Sequence, residues 1–215
     1  MADTKDGGGE HGPSMSHIRV LMATPLYRIL TSRVLAPWAL QGIRPEGEVL
    51  EVGAGVGAMA ARLLKTTPRL RMVVTDYDPA LVAIAERSLA RFSGRVVVAC
   101  VDACDLPFDD DRFDVVLSLA MLHHTGDWRR AVGEAIRVLR RGGRLVGYDL
   151  LEGALLHRGR RPGTMMRRGQ LEETLGKLPV VDARIRPAFA SHVRFLVPKD
   201  SNASITPKER RHAGT

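Results

Sequence analysis

One short stretch, "VLEVGAGVGA" at residues 49–58, limits the possible folds of this chain more than any other. It begins with the β-branched and apolar residues of a buried strand and continues into three glycines, Gly53, Gly55 and Gly57. Such a glycine turn between a strand and a helix lets the backbone approach a nucleotide-like ligand closely. The stretch therefore predicts an open α/β sheet with a ligand site at the turn.

Strands and helices alternate after this stretch, as expected of a parallel sheet covered on both faces. The last two segments, 180–188 and 190–197, alternate apolar with polar residues and lie so close together that only an antiparallel hairpin can join them. The predicted fold class is α/β: a doubly wound, seven-stranded, mostly parallel sheet with an antiparallel last strand. The five parallel strands are predicted at 48–52, 70–76, 95–101, 113–120 and 143–151.

A length of 215 residues, 45% of them hydrophobic, suits one domain. We expect it to span residues 18–198, between disordered polar tails at 1–17 and 199–215. Within it, residues 18–45 should supply a cap helix, limited by two prolines, and residues 152–170 a loop on the substrate side.

The same sequence gives no sign of a membrane protein. No apolar run approaches the ~20 residues of a membrane span, and the N-terminus lacks the pattern of a signal peptide. We therefore expect a cytoplasmic protein. Cys100 and Cys104 lack the further ligands of a metal site, so no metal is predicted.

The glycine spacing alone leaves two cofactor classes open. "GAGVGA" satisfies the G-x-G-x-x-G/A pattern of dinucleotide binders and the E/D-x-G-x-G-x-G pattern of S-adenosylmethionine binders, and Asp76 ends the second strand in either case. Three features favour the second class. They are Glu51 two residues before Gly53, the acidic loop that follows Asp102, and the stretch "AVGEAIRVLRRGGRLV".

With these features the sequence resembles the class I S-adenosylmethionine-dependent methyltransferases, in particular their small-molecule branch, over about residues 45–150. The resemblance implies a Rossmann-like methyltransferase fold and S-adenosylmethionine as the cofactor. It implies that Glu51 helps to hold the methionine end, that Asp102 and the Ala103 backbone meet the adenine edge, and that the Leu119 carbonyl accepts from the methionine amino group.

The residues themselves suggest further cofactor contacts. The turn Gly53–Ala54–Gly55, with Gly57 opening the next helix, brings backbone N–H groups to the ligand. Asp76 offers two oxygens to the two ribose hydroxyls. Tyr77 either packs on the adenine face or belongs to the core.

Methyl transfer from a sulfonium depends mainly on alignment, so a catalytic base is optional. If the acceptor is a hydroxyl or an acidic carbon, a histidine can take its proton. His124 is our candidate for that base, while His123 is expected to cap the strand or the next helix or to touch substrate. Tyr148 and Asp149, at the end of the fifth strand, are further substrate candidates. Tyr27 in the cap helix is another.

The expected partner is a small-molecule acceptor, but two other functions stay open. A net charge of +8 would suit an RNA methyltransferase, although only 5% of the residues are aromatic and no amino-methylation motif is present, so we do not expect a nucleic-acid partner. The absence of an unambiguous base in the sequence would suit a non-catalytic, cofactor-binding regulatory module. The arginines of segment 155–168 could clamp an anion or lie solvated, and a homodimer also stays open.

Overall fold

A computed structural model describes residues 24–40, 42–152, 165–188 and 192–202. Seven strands form one sheet with the spatial order β3-β2-β1-β4-β5-β7-β6. The strands in chain order are β1 (Glu48–Val52), β2 (Arg71–Asp76), β3 (Val96–Cys100), β4 (Phe113–Leu119), β5 (Leu139–Leu150), β6 (Arg184–Ala188) and β7 (His192–Pro198).

The strand directions confirm the predicted fold class. β1 pairs in parallel with β2 on one side and with β4 on the other, and β5 continues the parallel part beside β4. β7 runs antiparallel to both β5 and β6. Because the chain order reverses between β1 and β4, a crevice opens there at the carboxyl edge of the sheet, where ligands of such sheets bind.

Helices cover both faces of the sheet and enclose two apolar cores, one centred on Val116 and Ile136 and the other on Val49 and Leu64. The α-helices in chain order are α1 (Pro25–Leu30), α2 (Ala36–Leu40), α3 (Ala58–Thr66), α4 (Pro79–Leu89), α5 (Trp128–Val138) and α6 (Gln170–Leu175). None of these described helices combines the length and apolar character needed to cross a bilayer.

The sequence "DPALVAIAERSL" at residues 78–89 predicts a helix capped by Asp78, with Pro79 at its first position and a buried face of Leu81, Val82, Ala85 and Leu89. The side chain of Asp78 accepts a hydrogen bond from the Ala80 N–H, and Pro79 occupies the first turn, where its missing N–H costs nothing. The predicted buried face of this helix is also observed. It comprises Leu81, Val82, Ala85 and Leu89.

The end of α5 differs from the prediction. Because positive charge followed by glycine is typical of a helix end, "RRGG" at residues 140–143 predicts the end of α5, but α5 ends at Val138, and Leu139 already pairs with Phe113 of β4. The register then shifts, so that Val115 pairs with Arg144. The extra residues form an irregular strand entry that contains Gly142 at φ 72°.

The N-terminal helix also runs further than expected, because it continues past Pro37. A π-helical turn at Thr31–Leu35 joins α1 to α2, and α2 contains the proline. A proline inside a regular α-helix clashes with the carbonyl four residues before it. The π turn changes the hydrogen-bond pattern in that stretch, so the helix can continue past Pro37.

The folded part does not end at residue 198. Lys199 is buried, and its ammonium group lies 2.6 Å from an Asp111 carboxylate oxygen and 2.7 Å from the Leu139 carbonyl. A lysine is buried only when its charge is paired and hydrogen-bonded, as here. The predicted tail beyond 199 is therefore ordered at its start, while residues 1–17 and 203–215 lie outside the described part of the chain.

Candidate functional site

The glycine turn lies at the carboxyl end of β1, in close contact with its surroundings. Gly53 has φ 66°, and a Cβ on it would lie 2.5 Å from the Cβ of Met121, which no side chain tolerates. The Ala54 N–H donates to the Thr75 carbonyl at 2.9 Å. Gly57, at φ 73°, immediately precedes α3. Side chains at Gly53 and Gly57 would meet the packed residues Met121 and Leu89, so the turn requires glycine at both positions.

Asp76 ties this turn to β2 and to α4. Its Oδ2 accepts from the Gly55 N–H at 2.7 Å, and its Oδ1 accepts from the Asp78 N–H at 2.9 Å. Burial raises the pKa of this carboxyl, while the two N–H groups oppose that shift. Each carboxylate oxygen has a further lone pair, so both oxygens can still accept from ligand hydroxyls.

Glu51 is a buried acid without a full set of partners. Its side chain is in the core, with the residue 2% exposed, and Oε2 has no hydrogen-bond partner among the described residues. Burial raises its pKa to about 8, opposed by the Ala60 N–H and reinforced by nearby Asp76. Leaving such an oxygen unpaired costs ~1–3 kcal/mol. A donor or a cation on a ligand would remove that cost.

The residues expected around adenine follow the neighbouring strands. Tyr77 is 75% exposed and is therefore not a core residue. Asp102 is exposed, and its carboxylate accepts from the Cys104 N–H at 2.8 Å, which shapes the turn after β3. Ala103 is buried, and Leu119 ends β4. The parallel strands bring these residues to the carboxyl edge of the sheet.

A buried histidine–carboxylate pair lies at the same edge. The Nδ1 atom of His123 is 2.6 Å from an Asp149 carboxylate oxygen, and the two side chains are 4% and 0% exposed. Asp149 also accepts the Leu122 N–H at 2.7 Å and the His123 N–H at 3.3 Å. One carboxylate therefore fixes the 3₁₀ turn Leu122–His124 and the imidazole that it carries.

This pair has a chemical consequence. A contact as short as 2.6 Å between a ring nitrogen and a carboxylate requires a proton between them. In the neutral imidazole that proton is on Nδ1, so the lone pair is on Nε2. The arrangement can orient a general base, as carboxylates do for histidines in other enzymes.

The histidine that receives this carboxylate is not the one predicted as the base. His124 is exposed, and its ring centroid lies 4.0 Å from that of His123. The sequence contained a signal for the pair, since Asp149 lies near the end of β5 and His123 follows the end of the neighbouring parallel strand β4, at the same edge of the sheet. Which residues of adjacent strands meet depends on the β4–β5 register, which places Leu119 beside Tyr148.

The other substrate candidates lie in different surroundings. Tyr148 is buried, and its ring meets the edge of Trp38 in α2 at 5.3 Å between centroids, so it packs the N-terminal helix onto the sheet. Tyr27 lies in α1, but its side chain is outside the described part of the structure, as are all of residues 153–164. Arg167 pairs with Glu152. Within the described ranges, no cluster of three His, Cys, Asp or Glu residues could hold a metal ion.

The expected cofactor fits these residues. The Asp76 carboxylate at the end of β2 can accept hydrogen bonds from the hydroxyls of a ribose. The glycine turn and the buried Glu51 oxygen that lacks a donor suit an amino acid moiety and its cationic groups. The fit rests on the donor and acceptor chemistry of Asp76 and Glu51. It does not require any change in the fold.

Comparisons with known proteins agree with this fit. The family described as "Methyltransferase domain" matches residues 50–147, from within β1 into β5. A demethylmenaquinone methyltransferase of Clavibacter sepedonicus is 36% identical over 122 residues, which cover 56% of this chain and 46% of that protein. A probable tRNA methyltransferase 9B of Mus musculus is 37% identical over 112 residues, which cover 51% of this chain and 23% of that protein.

Solved structures share the fold. A SAM-dependent methyltransferase from Aquifex aeolicus superposes with a TM-score of 0.69 at 16% identity, covering 85% of this chain and 97% of that one. The chain spans less than half the length of the curated relatives it matches. With the seven-stranded sheet and the glycine turn, the domain match identifies residues 50–147 as similar to the S-adenosylmethionine-dependent methyltransferases, whose cofactor is S-adenosylmethionine.

Proposed function

We infer that this protein transfers the methyl group of S-adenosylmethionine to a small-molecule acceptor whose reacting atom carries an acidic proton, a hydroxyl or an activated carbon. His123 removes that proton, and Asp149 holds the imidazole in position. The observation that carries this proposal is the buried 2.6 Å contact between the two side chains, at the edge of the sheet that bears the glycine turn.

The chemistry needs little besides alignment. The cofactor supplies an electrophilic methyl group on a good leaving group, so the protein's task is to hold the acceptor in line at ~3 Å, which can be worth ~7–11 kcal/mol. His123 accepts the acceptor's proton at Nε2 as the acceptor becomes more nucleophilic. Asp149 stabilises the imidazolium that results, and general-base catalysis of this kind contributes ~10²–10⁴-fold.

On the cofactor side, we propose that Asp76 accepts from the ribose hydroxyls and that Tyr77 packs on adenine. Tyr77 is exposed without the ligand, which leaves its ring free to cover a base. The unpartnered oxygen of Glu51 takes the methionine end, with the backbone of Gly53, Ala54 and Gly55 around it. Asp102, Ala103 and Leu119 complete the adenine and amino-group contacts through strands β3 and β4.

A screen of metabolite extracts with methyl-labelled S-adenosylmethionine tests the proposal. Wild-type protein should label at least one small molecule, and Asp76→Ala should label less at limiting cofactor because it binds the cofactor more weakly. His123→Ala should bind cofactor with unchanged affinity yet lose labelling, whereas His124→Ala should retain it. Unchanged labelling by His123→Ala would contradict the proposed base.

A second candidate, methylation of RNA, is favoured by two observations. The chain carries a net charge of +8, and one of its relatives is named a probable tRNA methyltransferase. Offering total RNA to the same labelled assay separates the two candidates. Labelling of RNA should weaken steeply with salt, because the protein would bind RNA through its phosphates. Labelled RNA and no labelled metabolite would replace the small-molecule proposal. No labelled product from either pool, with cofactor binding intact, would favour the regulatory module.

A further inference from the structure

The loop that joins β3 to β4, residues 101–112, carries Asp102 and Ala103, the residues proposed to meet the adenine edge. We refer to it as the β3–β4 loop. The structure describes all of it and shows no helix or strand within it. Such a loop needs contacts from elsewhere to keep one conformation, because ordering each residue costs conformational entropy. Two residues of α5, Glu134 and Arg137, supply these contacts.

The guanidinium group of Arg137 connects α5 to the β3–β4 loop. Its Nε donates to Glu134 Oε1 at 2.9 Å, and its Nη2 donates to Glu134 Oε2 and to the Leu106 carbonyl, both at 2.8 Å. Its Nη1 donates to the Phe108 carbonyl at 2.8 Å and to Asp110 Oδ1 at 2.6 Å. A guanidinium has five N–H donors, so these bonds use all of them and fix the side chain in one orientation.

Glu134 holds the same point of the loop through a different group. Its Oε2 accepts from the Leu106 N–H at 3.0 Å, so the N–H and the carbonyl of Leu106 are both bonded to side chains of α5. The side chains of Glu134 and Arg137 are only 11% and 17% exposed. Charge-assisted hydrogen bonds are strong, and partial burial strengthens them further. The pair therefore fixes the backbone of the loop at Leu106.

This fixed point lies next to the turn proposed to meet adenine. The Asp105 N–H donates to the Asp102 carbonyl at 3.0 Å, and the Cys104 N–H donates to the Asp102 carboxylate at 2.8 Å. The turn closed by these bonds ends one residue before Leu106. Ala103 and Leu106 are buried members of the same apolar core. A shift of the backbone at Leu106 would therefore move the turn and its adenine contacts.

We propose that Arg137, held by Glu134, is a positioning residue that sets the β3–β4 loop so that Asp102 and Ala103 distinguish adenine from other bases. This assignment rests on the adenine contacts given under the proposed function. An arginine is required, because a lysine has only three donors on a flexible stem and cannot hold two carbonyls and two carboxylates in one plane. Helix α5 thus takes part in cofactor specificity.

The test compares S-adenosylhomocysteine with S-inosylhomocysteine, which carries an oxo group in place of the 6-amino group of adenine. Calorimetry on the full-length protein gives both affinities, and their ratio is the base preference. Arg137→Gln removes the guanidinium, and Arg137→Lys keeps the charge and stays informative if the first variant does not fold. Arg140→Gln is the matched control, because Arg140 bonds to Asp114 and to the Arg112 carbonyl, at the end of the loop far from Asp102.

Wild-type protein and Arg140→Gln should prefer S-adenosylhomocysteine at least about tenfold, because a site that hydrogen-bonds an amino group rejects an analogue that lacks it. Arg137→Gln should lower the preference below about threefold, and Arg137→Lys should lower it less. Thermal melting is measured in parallel. A lower melting temperature with the wild-type preference would show that Arg137 is only structural and would overturn the proposal. Equal affinity of the wild type for both ligands would overturn it together with the adenine contacts.

The outcome for Arg137 can be separated from the outcome for methyl transfer. His123→Ala should keep the wild-type base preference, because it changes the proposed base and not the β3–β4 loop. If the preference depends on Arg137 and no methyl transfer is found, the proposed function fails and the role of Arg137 stands. If methyl transfer is found and Arg137→Gln keeps the preference, only the role of Arg137 fails.

Discussion

The two halves of the candidate site are built in different ways. The cofactor half is made mainly from the backbone of one glycine turn, Gly53–Gly57, which the Asp76 carboxylate holds through the Gly55 N–H. The acceptor half depends on side chains brought together from distant positions. His123 meets Asp149 across 26 residues. A short glycine motif therefore specifies the turn of the cofactor half, whereas the pair in the acceptor half depends on strand register.

The largest expected effect falls on the acceptor half alone. Asp149→Asn keeps a side chain of the same shape but no longer stabilises an imidazolium, so kcat should fall ~10²–10⁴-fold. The KM for the acceptor and the affinity for S-adenosylmethionine should change little. The measurements are steady-state kinetics on the labelled acceptor and calorimetry with the cofactor. A proportionate loss of both activity and cofactor affinity would show that Asp149 has only a structural role.

The next effect is on the cofactor half and depends on pH. Because the pKa of Glu51 is about 8 in the free protein, a cationic ligand that needs the ionised acid must displace its proton at lower pH. Cofactor affinity should therefore rise with pH up to about 8 and be ~100-fold weaker two pH units below that pKa. Calorimetry from pH 6 to 9 measures this slope. Glu51→Gln is the control that should remove it, and an equal slope in both proteins would rule out Glu51.

A third change, Asp76→Ala, should weaken cofactor binding ~10–100-fold, since charge-assisted hydrogen bonds are worth ~1.5–3 kcal/mol. Asp76→Asn retains one acceptor oxygen for the Gly55 N–H and should lose less. Equal cofactor affinity in Asp76→Ala and wild type would remove the proposed ribose contact.

The smallest effect is expected at Tyr77. Its exposed ring should contribute ~0.5–1.5 kcal/mol by packing on adenine, so Tyr77→Ala should weaken cofactor affinity between about twofold and tenfold. Tyr77→Phe should behave as the wild type, because the face of the ring supplies the contact. A larger loss in Tyr77→Phe than in Tyr77→Ala would assign the role to the hydroxyl instead.

Sequence patterns predicted the fold where the signal was local. The strand at residues 48–52 has the predicted bounds, and the cap at Asp78 with Pro79 begins α4 as expected. These features depend on neighbouring residues, whose preferences act within one turn or strand. The predicted antiparallel hairpin is also confirmed, since a short connection leaves no other pairing.

The misses have a common physical cause, which is tertiary contact. Leu139 belongs to β5 because it pairs with β4, although "RRGG" predicts that the helix continues to that point. The buried pocket around Asp111 and Leu139 holds Lys199, which the polar composition of the C-terminus assigned to a tail. Which of His123 and His124 reaches Asp149 is likewise a matter of tertiary contact, because adjacent positions cannot be told apart by residue type.

The central claim is that one crevice joins the two halves, and a crystal structure with S-adenosylhomocysteine tests it most directly. The account predicts that the ribose hydroxyls contact the Asp76 carboxylate and that the thioether sulfur faces the His123–Asp149 pair. A ligand bound away from the Gly53–Gly57 turn, or one whose sulfur points away from His123, would contradict it.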